Sequence, residues 1–139
     1  MRDGPIVGIL LAAGSATRFG GDKLLAKMAG DMPIGVVALK NLVASVDAVV
    51  AVVRLGDNAL ATVLAAHDAR VTACPRAADG MGESLAWGVR AAPAAAAWLI
   101  ALSGDAGAKT ILARHNVALV ATEDAGVLRD VDTPQDLER

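Results

Sequence analysis

Residues 9–23 read ILLAAGSATRFGGDK, Ile9 through Lys23, and the reading of this stretch decides the fold. An apolar run that starts at Ile6 ends at Ala13, and Gly14 and Ser15 follow. Two cations, Arg18 and Lys23, come within the next ten positions. Three readings compete: a secretory leader with a small-residue cleavage site, an ordinary buried strand and turn, or a strand feeding a phosphate cradle. The residues argue against the first, because Asp3 cancels Arg2 and Gly8 interrupts the short apolar run.

The rest of the chain supports a strand. Its 139 residues suit one domain over 1–139, with 55% apolar residues to fill a core. Phe19, Trp87 and Trp98 are the three aromatics, so the core is built of Ala, Val, Leu and Ile. That composition fits a buried parallel sheet under Ala-rich helices. Continuous apolar runs predict strands at Ile6–Leu11, Ala48–Val53, Val71–Ala73, Ala97–Leu102 and Val117–Val120. Helices are predicted at Met32–Ser45, at Asn58–Ala66 behind an Asp57 cap, at Glu83–Ala92 after a glycine-rich turn, and at Ala106–Arg114. Thr133-Pro134-Gln135-Asp136 has the form of a helix start. Alternation of this kind predicts an α/β fold, a Rossmann-like, doubly wound three-layer sandwich with a mostly parallel sheet. Ligands of such sheets bind beyond the carboxyl ends of the strands.

Several function classes lose support. A net charge of −2, without a basic stripe, gives no electrostatic case for nucleic acid. No apolar stretch reaches the roughly 18 residues that span a bilayer. Cys74 is the lone cysteine, and no CxxC or Cys/His cluster occurs, so a reducing cytoplasmic location is expected.

Small residues at Ala12, Ala13 and Gly14 let backbone approach a ligand closely, and a positive φ at Gly14 would aim successive N–H groups at an anion. Arg18 supplies a fork and Lys23 a point charge for phosphate oxygens. Neither GxGxxG nor GxxxxGK[ST] is present. The residues by themselves leave a structural turn with two surface cations and a phosphate site both open.

Leu11-Ala12-Ala13-Gly14, followed by Arg18-Phe19-Gly20 and Lys23, resembles the signature loop of MobA-like nucleotidyltransferases. These enzymes join a nucleoside monophosphate to a phosphorylated acceptor and release pyrophosphate. The Leu-Leu-Ala form of the loop resembles the molybdopterin cytidylyltransferase branch, which implies CTP and a molybdopterin acceptor. Three further segments resemble family motifs in the same order. Gly80-Met81-Gly82-Glu83-Ser84-Leu85, behind Cys74-Pro75, is similar to G-M-G-x-S-L, which contacts base and ribose. Gly104–Ala108 is similar to G-D-x-G-A, and Asp130–Leu137 to D-x-D-T-P-x-D-L. The resemblance implies that Leu11, Ala12, Ala13, Gly14, Pro75, Gly80, Met81, Gly82 and Ser84 hold the nucleotide. Arg18 and Lys23 would neutralise the triphosphate, and Mg²⁺ would be the cofactor, with Asp132 as a ligand. GTP, and sugar or polyol phosphates as acceptors, stay open, because related folds share the first loop.

One departure stands out. In the family, the strand corresponding to Trp98–Leu102 leads into Asp-Met-Pro, whose carboxylate binds Mg²⁺, and then into a long acceptor-binding segment. Here Leu102 runs straight into Ser103-Gly104-Asp105. Asp105 could stand in for the missing carboxylate, or simply cap a helix at Ala106. The other Asp-Met-Pro, Asp31–Pro33, precedes a helix after a short turn and is not in the corresponding place. An internal deletion, natural or introduced, or a segment omitted from the recorded sequence would each leave both flanks matching. A nucleotide-binding module without catalysis is therefore the alternative reading.

Other reactive residues have plain readings. His67 and His115 fall near predicted helix ends without partners at metal or triad spacing. Cys74 reads as a small buried hydrophobe. Ser84 and Ser103 lack a base. Nucleotidyl transfer needs none, because an acceptor phosphate is already largely ionised at neutral pH.

Overall fold

The computed structural model describes residues 4–15, 20–28, 30–93, 98–102 and 133–138. The predicted helix Ala106–Arg114 and strand Val117–Val120 lie outside them. The apolar runs form β1 (Ile6–Ala12), β2 (Ala48–Arg54), β3 (Arg70–Cys74) and β4 (Trp98–Leu102), and the intervening stretches form α1 (Ile34–Val43), α2 (Asn58–Ala65) and α3 (Met81–Ala91). All pairings are parallel, in the order β3-β2-β1-β4. Helices cover both faces of β1, which is why its sequence is apolar without alternation.

Chain order runs outward from β1 to β3 and then jumps back across β1 to β4. Right-handed crossovers in two opposite directions must place their helices on opposite faces. The packing follows this rule. Leu39, Leu42, Leu60 and Leu64 of α1 and α2 cluster with Leu10, Ala12, Val49, Ala51 and Val53. Leu85 and Trp87 of α3 pack on Ile9, Val52 and Cys74 on the other face. The result is the expected three-layer, doubly wound sandwich, with its switch point between β1 and β4.

Two glycines bring helices close to the sheet. A Cβ at Gly8 would lie 2.9 Å from Leu42 of α1, and one at Gly88 of α3 would lie 2.8 Å from Ile9 and Val52 methyls. Gly8, which breaks the apolar run of the sequence, is thus a packing position. Trp87 Nε1 donates to Thr72 Oγ1 at 2.8 Å, tying α3 to β3. Asp47 closes the other end of the sheet: its Oδ2 accepts from Ile6 N at 2.7 Å, and its own N–H donates to Ile6 O.

Most element boundaries shift by one or two residues, as where α1 spans Ile34–Val43 inside the expected Met32–Ser45. α3 starts at Met81 instead of Glu83, because Gly80, with φ 125°, takes the break and first-turn N–H groups need no helical partner. The tail forms a short 3-10 helix at Pro134–Glu138, too short to settle into α-type bonding.

Candidate functional site

Ala12, Ala13 and Gly14 leave the sheet at the carboxyl end of β1, beside the switch point. The described β1–β4 pairing runs to Leu10–Leu102, and on the other side β1 stays paired with β2 to Ala12–Val53. Leu11 is half-buried, Ala12 and Ala13 are buried, and Gly14 and Ser15 are exposed. The backbone at Gly14 is open: a Cβ added there would meet nothing within 4 Å. The expected positive φ is not at Gly14. Among the described residues of this loop it occurs at Gly20 (92°), Gly21 (100°) and Asp22 (44°). At the Gly-Gly-Asp turn, two residues without Cβ make this left-handed backbone accessible.

That turn delivers Lys23. Lys23–Leu25 form one turn of 3-10 helix, held by Leu25 and Ala26 N–H groups donating to Asp22 O. Leu24 and Leu25 pack onto the core beneath, and Ile34 N donates to Ala26 O at 2.9 Å, fixing the turn to the start of α1. Lys23 therefore rises from an anchored base. Gly14 and Lys23 line one shallow cleft, open to solvent, together with Asp22, Arg54, Asp57 and Leu60. Arg18, the other expected phosphate cation, lies outside the described residues, as do Asp105 and Asp132.

Arg54 is the site residue that motif reading misses. It is the last residue of β2, level with Cys74 of β3 and one past the Val53–Ala12 pair with β1. Its Nε is buried and has no hydrogen-bond partner among the described residues. Leaving a buried donor unmade costs about 1–3 kcal/mol, which sets this nitrogen apart from the other described buried side-chain polar atoms. The signal is present in the sequence: a lone cation closing a fully apolar strand, at the edge where α/β sheets bind ligands. Asp57 beside it is occupied, since its Oδ1 accepts from Leu60 N at 3.3 Å as the cap of α2.

The second expected nucleotide segment follows β3. Pro75 is exposed, Gly80 caps α3, and Met81 and Gly82 are exposed in its first turn. Ser84 is buried, with 4% of its surface accessible. Arg76 braces this loop. Its Nε donates to Asp79 Oδ2 at 2.9 Å, and its Nη2 lies 3.7 Å from Glu83 Oε1. The Asp79 hydrogen bond, with the Glu83 charge behind it, raises the Arg76 pKa above its ordinary value.

Other reactive groups are accounted for locally. Cys74 is buried on the α3 face. His67 Nδ1 lies 2.9 Å from Val63 O, which makes it the protonated nitrogen at the end of α2. Asp31 pairs with Lys27 at 2.7 Å on a turn before α1, away from the cleft. No group of three or more His, Cys, Asp or Glu among the described residues is placed to hold a metal ion. Nor is any helix among them long and apolar enough to cross a membrane.

A parallel sheet with a switch point, small residues projecting beyond β1, and cations gathered at that edge define an α/β domain of the nucleotide-binding kind. The chain belongs to the MobA-like NTP transferase domain family, whose pattern matches residues 8–132. It is similar in structure to a nucleotidyl transferase from Methanothermobacter thermautotroptrophicus, at 26% identity and a TM-score of 0.56, over 70% of this chain and 50% of that one. The chain thus spans about half the length of that protein. Comparison with curated protein sequences gives no match.

Proposed function

We propose that this domain binds a nucleoside triphosphate, CTP, at the β1 edge and serves transfer of its nucleoside monophosphate to a phosphorylated acceptor such as molybdopterin. The observation that carries this reading is the shared cleft of Gly14 and Lys23, because it joins the two halves of the signature loop across the intervening turn. Backbone at Leu11–Gly14 holds the triphosphate. Pro75, Gly80, Met81, Gly82 and Ser84 position base and ribose. Lys23 and Arg18 neutralise the β- and γ-phosphates, so that pyrophosphate leaves as the acceptor phosphate attacks the α-phosphorus in line. The attacking oxygen is already ionised, and no side chain has to remove a proton.

Phosphoryl chemistry of this kind uses Mg²⁺, which binds one or two carboxylates together with phosphate oxygens and water. The described residues do not make such a site alone, so no step is assigned to the metal. Asp132, with Asp105 as the stand-in, is the proposed ligand. The location is proposed to be cytoplasmic.

The lost Asp-Met-Pro favours a second reading, a nucleotide-binding or regulatory module without turnover. Calorimetric titration with CTP and GTP, with and without Mg²⁺, paired with an assay of pyrophosphate release, separates the two. Binding with release supports the transferase, and binding alone supports the module. No binding of either nucleotide rejects both. Tight GTP binding with none of CTP moves the proposal to a guanylyl transfer, and release with a sugar phosphate instead of molybdopterin moves the acceptor.

A further inference from the structure

The backbone of Arg54 is fully engaged: it pairs with Cys74 in the sheet, and its carbonyl accepts from Asp57 N at 3.1 Å. Its side chain is not. The buried Nε has no hydrogen-bond partner among the described residues, and none of the ion pairs among them includes Arg54, although Asp22 and Asp57 line the same cleft. A guanidinium held without a carboxylate, next to two carboxylates, is kept available for an acceptor that arrives from outside.

We infer that Arg54 is a phosphate-binding residue of the cleft, a second cation that acts with Lys23 on the polyphosphate of the ligand. This deepens the proposed triphosphate site and rests on that reading. Phosphate is favoured over the base because Arg54 shares its cleft with Gly14 and Lys23, whereas Pro75, Gly80, Gly82 and Ser84 do not line it. The chemistry agrees: a guanidinium fork takes two phosphate oxygens at once, where an ammonium offers a point charge.

The test is Arg54→Met, which removes the guanidinium and keeps an unbranched apolar stem, with Arg54→Lys as a second variant. Affinities for inorganic pyrophosphate and for CTP are measured by calorimetry, and the unfolding temperature of the ligand-free protein is measured alongside. Arg54→Met is expected to weaken both ligands by the same factor, about tenfold or more, as expected for a lost charged hydrogen bond. Arg54→Lys should recover part of the loss, and the ligand-free Arg54→Met protein should melt a few degrees higher, because an unpaired buried donor is gone. Unchanged pyrophosphate affinity in Arg54→Met overturns the assignment, and so does a loss confined to CTP, which would make Arg54 a reader of the base. A loss of affinity accompanied by a lowered melting temperature makes the residue structural and also overturns it. If the wild-type protein binds pyrophosphate but no nucleotide, the nucleotide reading fails, and Arg54 is judged on pyrophosphate alone. If it binds neither, both are overturned.

Discussion

Gly82 and Gly88, both in α3, should respond to alanine in opposite directions. In a helix the change gains about 1 kcal/mol of propensity. At Gly88 the new methyl would meet Ile9 and Val52 at 2.8 Å, and both are fully buried and cannot yield. Overpacking of this kind costs about 1–3 kcal/mol, so Gly88→Ala should lower stability by up to about 2 kcal/mol, read as a lower urea midpoint. At Gly82 nothing lies within 4 Å of the added carbon. Gly82→Ala should therefore raise stability by about 0.5 kcal/mol while weakening CTP, because the proposed ribose contact uses the bare backbone there. A variant that is both stabler and equally tight would remove Gly82 from the site. Lys23→Ala belongs to the same scale. Leu24 and Leu25 anchor its base in the core. The expected loss is about tenfold in CTP affinity by calorimetry, or about 1.4 kcal/mol, in a variant that still unfolds cooperatively.

At the scale of elements, Asp57 links the cap of α2 to the wall of the cleft. Asp57→Ala frees Leu60 N and should cost about 1 kcal/mol, while Asp57→Ser, which keeps a cap, should recover most of it in the same denaturation experiment. The cap is legible in the sequence, as are all four described strands, because apolar runs and N-cap chemistry are local signals. What the sequence hides has physical reasons too. Strand order comes from crossovers, which no local pattern encodes, although the rule for their handedness makes a switch point predictable. A single glycine after a strand suggests a positive φ at Gly14, and only the structure shows that, among the described residues of the loop, the left-handed backbone lies at Gly20–Asp22. Gly8 reads as a flaw in the first strand, and Leu42 packed above it supplies the reason for it. Arg54 is legible only as a lone cation closing an apolar strand, a place where cations usually face water, and it takes the burial of Nε without a partner among the described residues to mark this one as different.

For the whole molecule the decisive feature is the junction of Leu102 and Ser103. β4 is in register with β1 up to that point, so the sheet and the first loop do not need whatever the family places after it. Binding and turnover should therefore separate. The first loop, Lys23 and the loop braced by Arg76 are all contributed by residues before the junction, and in the proposed function they are the parts that hold the triphosphate. Holding the acceptor, and placing a carboxylate against the α-phosphate, are by the resemblance read from the sequence tasks of a segment with no counterpart between Leu102 and Ser103. An intact mass near 14.0 kDa would exclude an omitted segment and make the junction a property of the protein. On that footing the second reading, a module without turnover, applies, and the 139-residue chain should bind CTP with pyrophosphate release at background level. Inserting an Asp-Met-Pro acceptor segment from a MobA-like relative between Leu102 and Ser103 should bring in Mg²⁺-dependent release without tightening CTP by more than a few-fold. Comparable release from the chain with and without the insert would instead place the missing carboxylate elsewhere. Asp105→Asn is then the variant that tests the stand-in: it should abolish release in the uninserted chain if Asp105 has taken the role, and leave it unchanged if Asp105 only caps a helix.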